Sequence, residues 1–372
     1  MVSNDVVFKT TSDNLRYNPR TLTDRGAAVT NRGCISMNSP KKTAYKRQPP
    51  PLALRYLLGI VLYGVARPVA WTLEKLGRIE TIFRSMNVRR LRSQKSSNPF
   101  RGYVPTEHDV FVATFAKSGT NWMMQIAHQL AFHGKGEFDH IHSVVPWPDT
   151  VLMGPMRGYA IPLEDSWVWQ ASPEKKRVIK THFDWEFIPY SEDARYIMVI
   201  RDPKDVFVSS YFFFVQNGFL DPIVRSYETL LKIFLSENFP VGGSWAVNTT
   251  GYWAERRRPN VMIVSFKSMK KDLRGTVIKV ADFLNIHVSD EVIDLVCEKS
   301  SFEYMQRIDE KFRVWKIIPW KAPGSMIRKG RQGGSSELLT PAQQREIDAY
   351  CMAELKRLGS DFPYEQFCDI AT

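Results

Sequence analysis

Cysteine is scarce in this chain, and its few copies are far apart. Cys34, Cys297, Cys351 and Cys368 are the only four among 372 residues, and no two of them form a CxxC pair. Because no cysteine pair combines with histidines at a zinc-finger spacing, a structural zinc site and a disulfide framework are both disfavoured. The cysteine usage fits a protein of a reducing, cytoplasmic compartment.

Net charge is nearly absent from the last 272 residues, although the whole chain has a formal charge of +12. Residues 1–100 hold 18 Lys and Arg against 5 Asp and Glu, whereas the remainder holds 33 against 34. A nucleic-acid-binding domain usually carries its basic surface on the folded part. The neutral remainder therefore disfavours nucleic acid as a partner.

Residues 1–50 lack glutamate and any regular hydrophobic period, and they are rich in Ser, Thr, Asn, Lys and Arg. This composition predicts a disordered basic tail. The tail lacks the early apolar run of a secretory signal, and its three Asp residues are unusual for an organellar transit peptide. Organelle targeting by the tail stays open.

A long hydrophobic run is missing as well. The uncharged apolar stretch Tyr56–Ala66 has 11 residues, and a helix of that length rises roughly 16 Å, about half of the hydrocarbon core of a bilayer. Apolar residues continue at helical spacing as far as Phe83, so residues 51–95 are expected to form a helical extension. It packs on the following domain, lies on a membrane surface or spans the membrane, and Pro68 with the basic residues after it favours the surface position over the spanning one.

From residue 96 to residue 372, short apolar strands alternate with helices. This order predicts an α/β domain with a parallel sheet flanked by helices on both faces. The predicted strands are 109–115, 177–181, 196–200 and 261–266. The predicted helices are 120–132, 203–216, 227–235, 270–284, 290–299 and 341–358.

A short glycine-containing turn joins the first predicted strand to a helix within residues 115–122. Free backbone N–H groups and the positive end of the helix dipole converge at such a turn, so it predicts a phosphate site. Lys117 adds a mobile charge, Gly119 lets the backbone approach the anion, and Thr120 adds a hydroxyl. The loop is shorter than a Walker motif and its lysine precedes the glycine, so we expect a nucleotide that offers one phosphate here, without a metal.

Two further segments carry groups that suit phosphate. Arg201 follows the third predicted strand, and Ser209 lies about two turns into the next helix, where the two side chains form a clamp. Near the C-terminus, residues 328–330 place two cations beside a glycine-freed backbone. Taken alone, the first segment is better explained by a structural ion pair between Arg201 and Asp205, and the second would pass for a solvated basic loop.

Together these segments resemble the sulfotransferases that use 3'-phosphoadenylyl sulfate (PAPS). Residues 115–122 are similar to the family's 5'-phosphosulfate loop, residues 201–211 to its 3'-phosphate segment, and residues 328–330 to the R-K-G loop that closes over the same phosphate. The resemblance extends over about residues 98–367 and implies the P-loop-like sulfotransferase fold, with PAPS as co-substrate and no metal. The implied donor-binding residues are Lys117, Ser118, Gly119, Thr120, Asn121, Trp122, Arg201, Ser209, Phe266, Arg328, Lys329 and Gly330.

The second predicted strand ends in Lys180, Thr181 and His182, which resemble the family's catalytic K-T-H segment. The resemblance implies that His182 takes the proton of the acceptor. It also implies that Lys117 stabilises the bridging oxygen that leaves and that Lys180 supports the transferring group.

Aromatic-rich loops are the expected source of an acceptor pocket, and they lie at residues 146–148, 167–169, 185–190, 212–214 and 312–320. Apolar lining predicts a small apolar or amphipathic alcohol, phenol or amine as the acceptor. A membrane-resident lipid alcohol is the variant to expect if residues 52–84 lie on a membrane. Two other functions remain as alternatives: a nucleotide-dependent kinase, and a non-catalytic membrane-associated protein that binds adenosine 3',5'-bisphosphate (PAP).

Overall fold

The computed structural model describes residues 48–215, 220–224, 226–240, 242–321, 324–330 and 333–371. The tail predicted over residues 1–50 lies almost entirely outside these residues. Arg331 and Gln332, which follow the predicted R-K-G loop, also lie outside them.

Four parallel strands form the central sheet: β1 (Asp109–Ala113), β2 (Arg177–Thr181), β3 (Arg195–Ile200) and β4 (Val261–Ser265). Their order in the sheet is β2-β1-β3-β4. Asp109 of β1 pairs with Arg177 of β2, Val110 of β1 with Arg195 of β3, and Tyr196 of β3 with Val261 of β4. All four predicted strands are confirmed to within two residues at each end.

The sheet separates two hydrophobic cores. Phe111 and Ala113 of β1 belong to one core, whereas Val110 and Val112 belong to the other. Alternate residues of a strand point to opposite faces, so both faces of β1 are covered. This arrangement confirms the predicted α/β class with helices on both faces of a parallel sheet.

The α-helices of the described residues follow in chain order. They are α1 (Leu52–Val61), α2 (Arg67–Lys75), α3 (Glu80–Ser96), α4 (Thr120–Ala131), α5 (Trp167–Ala171), α6 (Pro203–Phe214), α7 (Tyr227–Phe234), α8 (Trp245–Ala254), α9 (Phe266–Lys271), α10 (Leu273–Phe283), α11 (Asp290–Lys299), α12 (Phe302–Arg307), α13 (Pro341–Arg357) and α14 (Tyr364–Phe367). Short 3-10 helices cover residues 141–143, 148–152, 154–156, 185–187, 309–312 and 334–337.

One predicted helix is interrupted in the structure. The stretch predicted as a single helix over 270–284 belongs to two helices, α9 and α10. Asp272 interrupts them because its carboxylate accepts a hydrogen bond from the backbone N–H of Gly275 (2.7 Å) and caps a new helix.

The N-terminal helices pack on the rest of the protein. α1 continues through a π-helical turn, Leu62–Ala66, into α2. This turn stands just before Pro68, which has no N–H to donate to a regular helix. Ala70 of α2 and Phe83 of α3 are fully buried members of one of the two cores. The 24-residue stretch Leu52–Lys75 is nevertheless long and apolar enough to cross a membrane by length and composition, because it contains an 18-residue window with a mean hydropathy of 1.4.

Candidate active site

A cavity of about 660 Å³ lies at the carboxyl ends of the central strands, where ligands of parallel sheets usually bind. β1, β2 and β3 each lead directly into a segment that contributes to its wall. The predicted site residues that line it are Lys117, Gly119, Thr120, Asn121, Trp122, Lys180, His182, Arg201, Ser209, Phe266, Arg328, Lys329 and Gly330. Five segments that are far apart in the sequence therefore meet around one cavity.

The turn between β1 and α4 depends on two left-handed backbone conformations. Lys117 has a φ of 68° and Gly119 a φ of 98°. A Cβ atom on Gly119 would lie 2.8 Å from the ring of Phe266, so no larger residue fits there without a shift of that ring. The hydroxyls of Thr114 and Thr120 lie 2.5 Å apart and tie the end of β1 to the start of α4. The first N–H groups of α4 have no partner within the helix, and with the helix dipole they favour an anion at this position.

The Lys117 ammonium lies inside the cavity wall, 4.0 Å from the centre of the Phe213 ring. Burial, and after it the positive charge of Arg201, lowers the pKa of Lys117 to about 7. An anion bound beside Lys117 would relieve this cost of burying a positive charge. The environment of Lys117 therefore suits a negatively charged ligand.

The Arg201 guanidinium is held against the same turn. It donates a hydrogen bond to the carbonyl of Lys117 (3.0 Å) and lies 4.5 Å from the centre of the Phe266 ring. It also lies 3.8 Å from the carboxylate of Asp205, one turn into α6. The ion pair expected from the purely structural interpretation is therefore present, and both of its members line the cavity.

α6 carries Ser209 to the same cavity. The helix begins at Pro203, and the Asp202 carboxylate before it accepts the backbone N–H of Lys204 (2.9 Å). The Lys204 ammonium lies 3.1 Å from the Asp202 carboxylate, and it also pairs with Asp348 of α13. These buried contacts fix the direction in which α6 leaves β3.

Trp122 and Phe266 form an aromatic pair on the cavity wall. Their ring centres lie 5.6 Å apart in an edge-to-face arrangement. The Trp122 indole N–H donates to the carbonyl of Ser300 (2.7 Å), which fixes the ring. Lys270, which the sequence analysis did not single out, adds a cation 5.7 Å from the Trp122 ring. The pair can offer a planar ligand one aromatic surface beside a positive charge.

The carboxylate of Glu337 is bound by the two cations of the predicted R-K-G loop. Arg328 donates two hydrogen bonds to Glu337, at 2.8 and 2.9 Å, and the Lys329 ammonium donates a third at 2.8 Å. Although burial opposes the effect, these cations hold the pKa of Glu337 below its usual value. Gly330 has a φ of 54°, and a Cβ on it would overlap the ring of Phe302. The two cations predicted to hold a phosphate are thus paired with an acidic side chain of the same chain.

The ring of His182 is fixed in one tautomer. Nδ1 lies 2.8 Å from the carbonyl oxygen of Thr114, so Nδ1–H donates this bond and Nε2 keeps its lone pair. Burial, and after it the positive charge of Lys180, lowers the pKa of His182 to about 3. The imidazole is therefore neutral near pH 7. Burial keeps its affinity for a proton low, and the neighbouring lysine charges lower it further.

Asp149, which the sequence analysis missed, holds the end of β2. Its carboxylate accepts the backbone N–H of His182 (2.6 Å) and the hydroxyl of Thr181 (2.9 Å). Burial raises the pKa of Asp149 to about 6. Burial also lowers the pKa of Lys180 to about 7, and the Lys180 ammonium lies 3.3 Å from the centre of the Trp147 ring. Asp149 therefore positions the segment that carries both Lys180 and His182.

The cavity has two chemically different ends. The polar end consists of Lys117, Gly119, Thr120, Arg201, Ser209, Arg328 and Lys329. The apolar end consists of Trp147, Met153, Met156, Tyr159, Val314, Trp315 and Ile317, which form one hydrophobic cluster. His182 lies between the two ends, because its ring contacts Trp147 edge-to-face at 5.5 Å and its Nδ1 bonds to the carbonyl of Thr114, just before the turn that carries Lys117.

Some predicted site residues do not line this cavity. The Ser118 side chain is fully buried beneath the turn, where the backbone N–H of Ser118 donates to the carbonyl of Phe115. Two of the aromatic loops predicted for the acceptor pocket, 167–169 and 185–190, also lie elsewhere. Trp169 stacks on the partly exposed His108 at 3.9 Å, whereas Trp185 packs on Tyr196 of one core at 5.4 Å.

The remaining three aromatic loops contribute to the cavity through Trp147, Phe213, Phe214, Phe312 and Trp315. Among the described residues, no group of three or more His, Cys, Asp or Glu side chains is placed to hold a metal ion.

Comparison with known proteins gives one consistent result. The family model for the sulfotransferase domain matches residues 107–359 of the chain. Sulfotransferase 2A1 of Macaca fascicularis is 28% identical over 288 residues, which cover 76% of this chain and 94% of that protein.

Two solved structures are similar in fold. One is retinol dehydratase in complex with androsterone and the inactive cofactor PAP, at 20% identity and a TM-score of 0.59, covering 74% of this chain and 88% of the other. The second is the mouse sulfotransferase SULT7A1 complexed with PAP, at 20% identity and a TM-score of 0.53, covering 72% of this chain and 92% of the other.

Proposed function

The chain belongs to the sulfotransferase family, and from this premise we propose that it transfers a sulfuryl group from PAPS to the hydroxyl or amine of a small, apolar or amphipathic acceptor, with His182 as the general base. One observation carries the proposal: the neutral His182, with Nε2 unprotonated, lies between a cationic end and an apolar end of one cavity. Two proteins of similar fold are complexed with PAP.

The polar end suits a donor that carries phosphate at two positions. The first turn of α4 and Lys117 would hold the phosphosulfate, whereas Arg201, Ser209, Arg328 and Lys329 would hold the 3'-phosphate. Trp122 and Phe266 would contact the adenine. Ser118 is left out of this set, because its side chain does not line the cavity.

The transfer itself needs positioning and charge stabilisation. The acceptor oxygen forms a bond to sulfur, while the bond between sulfur and the phosphate oxygen breaks and its electron pair stays on PAP. Lys117 stabilises the negative charge that grows on that oxygen, and Lys180 supports the transferring sulfuryl group. The acceptor's proton passes to Nε2 of His182, whose Nδ1–H stays bonded to the carbonyl of Thr114.

The low pKa of His182 belongs to the protein without an anion. Lys180 and Lys117 contribute to the lowering, and a phosphosulfate between them would compensate their charges. Binding of the donor should therefore raise the pKa of His182 and make it a better base. This order would favour acceptor activation after the donor has bound.

The apolar end suits the body of the acceptor. Trp147, Tyr159 and Trp315 present aromatic surfaces there, and Tyr159 meets Trp315 edge-to-face at 4.8 Å. Few charges line this end, so a highly charged polymer would gain little there.

The proposal is tested by incubating the full chain with ³⁵S-labelled PAPS and a panel containing a hydroxysteroid, a phenol, a primary alcohol and an amine. We expect a labelled product from at least one acceptor and none from His182→Ala, whereas His287→Ala, an exposed residue outside the cavity, should match the original chain. PAP binding without any labelled product from the original chain would favour the non-catalytic alternative. Phosphoryl transfer from ATP and Mg²⁺ at a comparable rate would favour the kinase.

A further inference from the structure

The helical stretch formed by α1, the π turn and α2 leaves an apolar face uncovered by the described residues. Leu54, Leu57, Val61, Val65 and Val69 follow one another at a spacing of three or four residues, and we call them the apolar stripe. They are 53%, 58%, 46%, 61% and 52% exposed. A soluble protein rarely leaves such a row of large aliphatic side chains in water.

The other side of the same stretch is fixed to the domain along its length. Gly59 packs directly on the indole of Trp320, and the Tyr63 hydroxyl bonds to Asp221. Further along, Ala70 is fully buried and Glu74 bonds to Thr229. Because these contacts run from α1 to the end of α2, the helix cannot leave the domain to span a bilayer without breaking them. It can only present its outer face to a surface.

Positive charge accompanies the stripe. Residues 52–96 contain nine Lys and Arg but only two acidic residues, Glu74 and Glu80. Six of the basic residues that follow the stripe are exposed: Lys75, Arg78, Arg84, Arg89, Arg92 and Lys95. Apolar side chains with adjacent basic residues are the features of a helix that lies in the headgroup region of an anionic membrane.

We propose that the apolar stripe docks on an anionic phospholipid bilayer, with the helix in the plane of the headgroups. A second copy of the chain is a poorer occupant, since two-fold pairing through this face would bring two strongly basic segments together. A bilayer with anionic lipid complements both the aliphatic side chains and the charge.

The docked helix would lie next to the cavity. Trp320 and Lys321, which contact α1 and the π turn, follow Trp315 and Ile317 of the apolar end by a few residues. Asp221 lies on the same side of the helix, where it bonds Tyr63 and pairs with Lys321 at 2.7 Å. The segment that anchors the membrane helix therefore continues into the apolar end of the cavity.

The test is flotation of the full chain with vesicles of phosphatidylcholine alone and with vesicles containing about 30% phosphatidylserine. We compare the original chain with Leu57→Glu/Val65→Glu, which puts two charges into the stripe. The matched control is Val104→Glu/Ile370→Glu, which makes the same charge change at exposed aliphatic residues elsewhere. Recovery with the anionic vesicles should fall about tenfold or more for the stripe variant and stay unchanged for the control.

Recovery of the original chain should also fall about tenfold when phosphatidylserine is left out. Equal recovery of the stripe variant and the original chain would overturn the proposal. So would a dimer of the original chain that becomes monomeric in Leu57→Glu/Val65→Glu and floats with neither vesicle, because the stripe would then be an interface between copies. Melting temperatures by circular dichroism, which should agree between both variants, exclude misfolding as the cause.

Discussion

The two ends of the cavity are built in different ways. The polar end lies where three strands of the sheet stop and where α4 and α6 begin, so backbone geometry places most of its groups. The apolar end comes mainly from irregular segments and 3-10 helices, and its residues touch mainly one another. The topology of a parallel sheet thus brings together most groups of the polar end, whereas the opposite wall depends on how loops pack.

His182 is the residue at which the two ends meet. Its loss should therefore give the largest difference between the effect on catalysis and the effect on nucleotide binding. His182→Ala is expected to lower kcat about a thousandfold, because it removes the neutral imidazole that lies between the two ends of the cavity. PAP should still raise the melting temperature, since the polar end is unchanged. Activity above a tenth of the original in a radiolabel assay would remove His182 from the role of base.

A change confined to the apolar end should affect the acceptor alone. Trp315→Ala is expected to lower kcat/KM for the acceptor about tenfold, because it removes an aromatic surface of the wall. The Kd for PAP, measured by calorimetry, should not change. Trp169→Ala is the matched control: Trp169 stacks on His108 outside the cavity, so its loss should leave both constants unaltered.

A change of pH should act on nucleotide binding, through the two lysines whose pKa values are lowered. Lys117 and Lys180 have pKa values near 7 in the free protein, and an anion binds their protonated forms better. PAP affinity should therefore fall as pH rises from 7 to 9, by about tenfold, because the phosphates are already ionised in this range. Calorimetry at pH 8 in two buffers of different ionisation enthalpy should reveal net proton uptake; proton release would contradict the assignment.

The smallest expected effect concerns Glu337, which pairs with Arg328 and Lys329. Glu337→Gln should strengthen PAP binding about threefold, because the phosphate no longer competes with a carboxylate that is partly screened by water. Glu303→Gln, at an exposed position of α12 that does not line the cavity, is the control. Weaker binding in Glu337→Gln would mean that Glu337 orients the two cations instead of competing for them.

The sequence allowed the strands and most of the polar end to be predicted, because their signals are local. A strand, a glycine turn and a helix start occur within residues 109–122, and the resemblance to a known family supplied the roles. The side-chain position of Ser118 could not be predicted in this way. Whether the side chain points into the cavity or under the turn depends on the left-handed backbone of Lys117, which the residue types do not reveal.

Long-range partners were missed for a physical reason. Asp149 stands 33 residues before His182 and acquires its role only when the chain between them folds back to the end of β2. Two of the aromatic segments predicted for the pocket lie elsewhere for a related reason, since a tryptophan such as Trp185 packs on a core as readily as it lines a pocket. For residues 51–95 the sequence left three alternatives open: packing on the domain, a position on a membrane surface, or a membrane span. An amphipathic pattern does not show what covers each face of a helix.

The burial of Ala70, Ile79 and Phe83 has a practical side. Each of these side chains is at most 5% exposed and belongs to the same core as β1 and β3. Recombinant protein trimmed to start at residue 107, where the matched family domain begins, would lose all three side chains. The apolar core residues that they cover would then be exposed to solvent. Such a truncated enzyme should aggregate during purification, so an expressed protein has to keep the first three helices.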